Sequence, residues 1–290
     1  MSTLHFFKGH GTENDFVIVA DVDGELELTA DLVAALCDRR AGIGGDGLLR
    51  VVRSAKDPAA EHLAGEAEWF MDYRNGDGSI AEMCGNGVRV FARHLVERGL
   101  AAAGGMRIAT RGGIKVVTVP VEPDGAITVD MGVARLPGSA GIGVDVAGRV
   151  RPATNVDMGN PHAVVFVDDL ADAGSLYTAP TVSPEGAYPD GVNVEFVVRR
   201  APGHVAMRVH ERGSGETRSC GTGACAVMVA VARADGVEPG VSGEPATYTV
   251  DVPGGTLTIT ERVDGHIEMT GPAVIVAEGD VDLDRLRDRR

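Results

Sequence analysis

The sequence predicts an α+β protein built from two similar lobes with a cleft between them. Many short β-branched runs are separated by Gly, Pro and Asp. Two helix patterns each open on Cys-Gly-x-Gly. The two segments that carry them match one another at an offset of 136 residues. A chain of 290 residues has the length of about two domains and can bury a sizeable core without staples.

The first lobe opens on Leu4, Phe6 and Lys8 and then Phe16-Val17-Ile18-Val19-Ala20, a hairpin-like pair of strands with Asn14 near its turn. Thr29 can cap a helix whose apolar positions Leu32, Val33, Leu36 and Cys37 follow three-to-four spacing and whose end carries Arg39 and Arg40 before Gly42. Strands are expected at Leu48 to Val52 and Glu66 to Tyr73. A turn follows at Asn75-Gly76-Asp77-Gly78, then a helix from Gly85 to Arg98 and strands around Ile108, Ile114 to Val119 and Ile127 to Val129. In the second half Asn160-Pro161-His162 opens a strand Val164 to Val167. Strands Val192 to Val198 and Val205 to His210 come next, with a turn from Glu211 to Thr217 and a helix Gly221 to Ala234. Tyr248 to Val252, Thr256 to Thr260 and Ile267 to Met269 close that half. The chain ends in a strand Val274 to Gly279 and a short helix from Asp280 to Arg290, acids first and arginines last, the order a helix dipole favours.

Composition excludes several function classes. Hydrophobic residues are 44% and charged residues 24%, so neither a disordered chain nor a coiled coil fits. With 40 glycines among 290 residues, tight turns are expected throughout. The net charge of −15 repels polyphosphates and anionic surfaces, which argues against nucleic acid and membrane partners. The longest apolar run, Ala224 to Ala232, stops at Arg233, well short of the roughly 18 residues a membrane span needs. The start of the chain lacks the form of a signal peptide, so the expected location is the cytoplasm. Cys37, Cys84, Cys220 and Cys225 form no C-x-x-C pair, which leaves thiol chemistry or burial.

In the internal repeat, Asn75 to Val88 faces Glu211 to Ala224, with Cys84 opposite Cys220 and Asn75 opposite Glu211. Asn14 and Asn160 extend it, each preceding a valine-rich strand. The first turn of a helix offers unpaired N–H groups and a partial positive charge, which stabilise a thiolate and can also cradle a carboxylate. Two such sulfurs on opposite walls of one cleft suit removal of a proton from one face of a carbon and its return to the other. That is racemase or epimerase chemistry. Cys37 and Cys225 lack this context and read as buried structural residues.

Glu82-Met83-Cys84-Gly85-Asn86-Gly87-Val88-Arg89, Met158-Gly159-Asn160-Pro161-His162, Gly191-Val192-Asn193-Val194 and Glu211-Arg212-Gly213-Ser214-Gly215-Glu216-Thr217 through Cys220-Gly221-Thr222-Gly223-Ala224 resemble the diaminopimelate epimerase family. So do Lys8 to Phe16 and Gly271-Pro272-Ala273, in order along nearly the whole chain. The resemblance implies lobes that each wrap a mostly antiparallel, barrel-like sheet round a central helix. The expected lobes are residues 1–130 with 276–290, carrying Cys84, and 131–275, carrying Cys220. It also implies a pyridoxal-independent isomerase, with no cofactor and no metal, that interconverts LL- and meso-diaminopimelate for lysine and peptidoglycan precursor synthesis.

Carried over residue by residue, the resemblance makes Cys84 and Cys220 the acid–base pair, one thiolate and one thiol. Backbone amides of Gly85, Asn86, Gly221 and Thr222 would hold the α-carboxylate. Glu211 would bind the reacting ammonium and Arg212 the distal carboxylate. Asn14, Asn75, Asn160 and Asn193 would fix the remaining polar groups, and His162 would tune Glu211 or a thiol. Two departures stand out. Gly47 occupies a place where the family often has glutamine. Val276-Ala277-Glu278-Gly279 lacks a tyrosine that in family members packs at the interface of a homodimer.

Rival readings are fewer in their support. Gly42-x-Gly44-x-x-Gly47 satisfies a dinucleotide fingerprint formally but follows a helix and precedes a strand, the reverse of the required order. Cys220 and Cys225 have no zinc-like spacing. A thiol redox protein, a proline racemase-like enzyme for another amino acid and a non-catalytic binding protein remain as alternatives.

Overall fold

The computed structural model describes residues 3–138 and 141–287. In chain order it holds β1 (Thr3–Gly11), β2 (Asn14–Ala20), α1 (Ala30–Cys37), β3 (Gly47–Arg53), β4 (Trp69–Asn75), α2 (Gly85–Glu97), β5 (Gly104–Thr110), β6 (Gly113–Val119) and β7 (Ile127–Val133). Then come β8 (Gly143–Val146), β9 (Arg149–Asp157), β10 (Pro161–Phe166), β11 (Val182–Ser183), β12 (Asn193–Ala201), β13 (His204–Glu211), β14 (Gly215–Glu216), α3 (Gly221–Ala234) and α4 (Pro239–Ser242). The chain closes with β15 (Ala246–Val252), β16 (Gly255–Glu261), β17 (His266–Gly271), β18 (Val274–Asp282) and α5 (Leu283–Arg287).

It forms two compact units, Met1–Val129 with Pro272–Arg290, and Asp130–Gly271. The return to the first unit falls at Pro272, ahead of the expected residue 276, because β18 pairs with β1 from Val274 onward. Each unit repeats one strand plan. In the first, β18, β1 and β2 run antiparallel in turn, β2 lies parallel to β3, β3 antiparallel to β4, β4 parallel to β5, and β5, β6 and β7 antiparallel again. In the second, the antiparallel pairs β8–β9 and β9–β10 lead to parallel β10–β12, antiparallel β12–β13, parallel β13–β15 and antiparallel β15–β16–β17. The sheets are mostly antiparallel, with two parallel joins per unit where the connection is too long for a hairpin.

One helix lies inside each sheet. α2 packs against β1, β2, β3, β4, β6 and β18 and is buried from Gly85 to Leu95. α3 packs against β9, β10, β12, β13, β15, β16 and β17, and its run Ala224–Ala232 is entirely buried. A helix enclosed on every side need not be amphipathic, which is why α3 is apolar all round. α2 instead buries Arg89, Arg93 and His94. Arg93 donates to the carbonyls of Gly125 and Ala273, and Arg89 to that of Pro272.

Three expectations shift. α1 keeps its Thr29 cap but ends at Cys37, because the Asp38 side chain accepts from the N–H groups of Arg40 and Ala41 and turns the chain. β4 starts at Trp69 rather than Glu66, since Glu66 and Ala67 bond back to Leu63 in a turn. The final helix begins at Leu283, and of its expected extent residues 288–290 lie outside the described residues. Among the described residues no helix is long and apolar enough to cross a membrane.

Candidate active site

In the first unit Cys84 is the N-cap of α2. Its backbone is extended (φ −137°, ψ 117°) and its Sγ accepts the N–H of Gly87 at 3.5 Å, the place usually filled by a Ser or Asp oxygen. The sulfur is partly buried and donates to Asn14 Oδ1 at 3.4 Å. That oxygen also accepts from Asn86 Nδ2 at 3.2 Å, while Asn14 Nδ2 donates to Asp46 Oδ2 at 2.8 Å. Asn86 is fully buried, and its own Oδ1 accepts from Arg89 Nη2 at 2.9 Å. Asn14, Cys84, Gly85 and Asn86 thus form one cluster. Thr12 and Glu13, both at positive φ, make the tight turn that delivers Asn14.

Asn75 stands one step away. Its Nδ2 donates to Ser79 Oγ at 3.0 Å, and the next residue, Gly76, bonds to the carbonyl of Asp46. Asp46 therefore joins Asn75's turn to Asn14. Arg39 bridges Asp46 and Asp15 at 2.7 and 2.6 Å, and Lys8 adds a second cation to Asp15. Burial opposes ionisation of Asp15, but the hydrogen bonds from Arg39 and Lys8 override it and hold the carboxyl well below the usual range. Gly47 opposes Asn75 across β3–β4. A Cβ there would stand 2.5 Å from the Arg74 carbonyl and 2.7 Å from the Tyr73 ring, so this backbone has no room for a side chain in place of Gly47.

In the second unit Cys220 caps α3 in the same way (φ −114°, ψ 112°), with Gly223 N–H donating to Sγ at 3.4 Å and Thr222 Oγ1 at 3.6 Å. Here the sulfur is buried and hydrogen-bonded to Glu211 at the end of β13. Asn160 Nδ2 donates to Thr222 Oγ1 at 3.4 Å, and Asn160 Oδ1 meets His162 Nε2 at 3.0 Å. Behind them His162 Nδ1 lies 2.6 Å from Glu195 Oε1, both side chains fully buried. Asn193 Oδ1 accepts the Arg212 N–H at 2.9 Å. The Arg212 guanidinium donates to the Asp190 carbonyl, and its stem lies over Gly191, whose φ of +79° favours glycine. Arg212 also borders a cavity of about 240 Å³ in this unit, shared with Tyr188, Val192 and His210.

Burial pushes the Cys220 thiol well above its ordinary value, and the Glu211 and Glu195 carboxylates add to the shift. Glu211 is itself pushed up by burial, against hydrogen bonds from Thr217 and Cys220 and the charge of His162. The sequence reading missed Glu195. The available signal was an acid inside the apolar strand Val192–Val198. It also missed Asp46, which ties Asn14 to Asn75, and Thr217, which bonds Glu211.

The family model described as diaminopimelate epimerase matches residues 6–137 and 154–276. A diaminopimelate epimerase of Streptomyces coelicolor is 68% identical over 283 residues, covering 97% of this chain and 97% of that protein. Among solved structures, a Bacillus anthracis phenazine biosynthesis protein of the PhzF family superposes with a TM-score of 0.71 at 19% identity, covering 97% of this chain and all of that one. A probable proline racemase from Agrobacterium radiobacter K84 does so with a TM-score of 0.68 at 16% identity, covering 97% of this chain and 93% of that one. Repeated units that each cap an enclosed helix with a thiol, seen with these likenesses, define a pyridoxal-independent isomerase that works through cysteine. The chain belongs to the diaminopimelate epimerase family.

Proposed function

We propose that this protein interconverts LL- and meso-2,6-diaminopimelate by moving the proton at one α-carbon, with Cys84 and Cys220 as the two acid–base groups. One sulfur takes the proton as a thiolate while the other supplies one to the opposite face as a thiol, and the roles exchange with direction. The observation that carries the reading is the pair of thiol caps, each an N-cap cysteine whose Sγ accepts a first-turn N–H at the start of an enclosed helix.

The backbone amides of Gly85, Asn86, Gly221 and Thr222 bind the α-carboxylate and take up the charge that develops as the proton leaves, a demand normally met by a cofactor. Glu211 receives the reacting ammonium, whose charge favours the ionised carboxylate that burial alone disfavours. Arg212 presents its planar fork to the distal carboxylate. Asn14, Asn75, Asn160 and Asn193 orient the remaining polar groups, and His162 holds Asn160. Work on lysine and peptidoglycan precursors places the enzyme in the cytoplasm. A homodimer, which the family resemblance implies, would form without the tyrosine contact, because exposed Ala277 stands there; sedimentation velocity measures it.

The test is incubation with LL-diaminopimelate in deuterium oxide under reductant, without added cofactor or electron acceptor. Deuterium should enter one α-carbon as the meso isomer forms, and proline under the same conditions should not exchange. Absence of exchange with intact thiols would remove the proposal, and a requirement for an electron acceptor would favour the redox reading.

A further inference from the structure

The strands beneath the two thiol-capped helices share a register, so the repeats can be compared position by position. Phe16 pairs with Gly47 across β2–β3, and His162 pairs with Asn193 across β10–β12. Two residues further along, Leu49 corresponds to Glu195. Each reaches under the third residue of its helix. Leu49 Cδ2 and Phe16 Cζ lie 3.2 and 3.5 Å from where a Cβ on Gly87 would stand, and Glu195 Oε1 lies 2.8 Å from the same point on Gly223. An apolar pair in one repeat is an ionisable pair in the other.

The hydrogen bonds tie that pair to the thiol. Asn160 Nδ2 donates to Thr222 Oγ1 and Asn160 Oδ1 faces His162 Nε2, while His162 Nδ1 lies 2.6 Å from Glu195 Oε1 with both side chains fully buried. Glu195 Oε2 has no hydrogen-bond partner among the described residues, so the polar contact of this carboxyl is spent on His162. A carboxyl half-satisfied at full burial is a poor structural choice where its counterpart manages with leucine.

We propose that Glu195 is a positioning residue: through its hydrogen bond to His162 it fixes Asn160 and Thr222 against Cys220 and keeps that sulfur in its thiol form in the resting protein. The inference rests on the two-thiol reading above. The chain of contacts runs from Glu195 through His162, Asn160 and Thr222 to Cys220 Sγ, and the carboxyl end of the pair abuts Gly223, whose N–H caps that sulfur. The charged and titratable groups facing this cluster are Glu211 from β13, Glu195 from β12 and His162 from β10, with Tyr188, in the segment before β12, feeling the charge of Glu195.

Two variants test it: Glu195→Gln, and the double variant His162→Phe/Glu195→Leu, which transplants the apolar pair of the first unit. Steady-state kinetics across pH, thermal melting and the iodoacetamide alkylation rate of Cys220, followed by peptide mass spectrometry, are compared with wild type. Glu195→Gln should keep its fold and hold KM within about threefold while kcat falls about tenfold or more, the size of effect seen when a supporting group is removed. Its Cys220 should alkylate several-fold faster at neutral pH, and the double variant should do the same. Wild-type kcat and an unchanged Cys220 alkylation profile in either folded variant would overturn the proposal. So would a kcat loss that merely follows the folded fraction. Should the wild type itself fail to exchange deuterium, the two-thiol reading falls, whereas the alkylation rates still decide whether Glu195 governs the sulfur.

Discussion

Beneath α2 the Phe16 ring and the Leu49 side chain close against Gly87. Beneath α3 the matching places hold His162 and Glu195 against Gly223. The frame is otherwise held in common: a cysteine N-cap in extended conformation, a backbone N–H to its sulfur, an asparagine at the mouth of the neighbouring strand and the same parallel ladder. The helix start, which the proposed function uses to hold a carboxylate, is kept. What differs is charge and burial around the sulfur: Cys84 is partly buried, whereas Cys220 is buried beside the Glu211 and Glu195 carboxylates.

The largest effect that probes the comparison is loss of either sulfur. Cys84→Ala and Cys220→Ala should each lower epimerisation by on the order of a thousandfold or more, with melting temperatures near wild type. Full two-way turnover in one of them would end the symmetric assignment. Alkylation of the unmodified protein sharpens it. Partly buried Cys84 should label ahead of both Cys220 and Cys37, whose thiols burial pushes up.

Next in size is the glycine at the third helical position. In Gly223→Ala the new methyl meets Glu195 Oε1 at 2.8 Å and Cys220 Sγ at 3.2 Å, and the carboxyl is pinned by His162. A displacement of a few tenths of an ångström at the nucleophile should cost kcat about a hundredfold. In Gly87→Ala the nearest atom is the end of the Leu49 side chain at 3.2 Å, which can turn aside, so the loss should stay within about tenfold. Equal losses in the two variants would show that the pairs beneath the helices do not matter.

The parts legible in the sequence were those with short-range signatures. Cys-Gly-x-Gly before an apolar run gave both enclosed helices to within a residue, and Thr29 marked α1. The parallel joins β2–β3 and β10–β12 were not legible, because strands buried on both faces read as continuous apolar runs whatever their direction. Glu195 was hidden for the same reason: without an inside and an outside to the strand, nothing shows that its acid points under α3. β8 and β9 went unread because Gly, Pro and Arg interrupt them, and Asp46 because its importance lies in joining residues far apart in the chain.

The smallest expected effect contrasts two buried histidines. His162 has a partner on each nitrogen, whereas His94, on α2, has none on either among the described residues and packs edge-on to Phe7 at 4.6 Å. Burial, with the nearby Arg98 charge, lowers the His94 pKa to about 4 from its ordinary 6.5. The folded state therefore favours the neutral ring. Its contribution to stability is intact above pH 6.5, falls away as pH drops and is gone below about 4. Between pH 7 and pH 5 that amounts to about 2 kcal/mol. Urea unfolding at the two pH values should show wild type losing about that much more than His94→Leu, which fills the same space without a titrating group. Other groups titrate in this range in both proteins and cancel in the difference. If the two lose stability in parallel, His94 takes up its proton without cost, and the contrast between partnered and unpartnered histidines disappears.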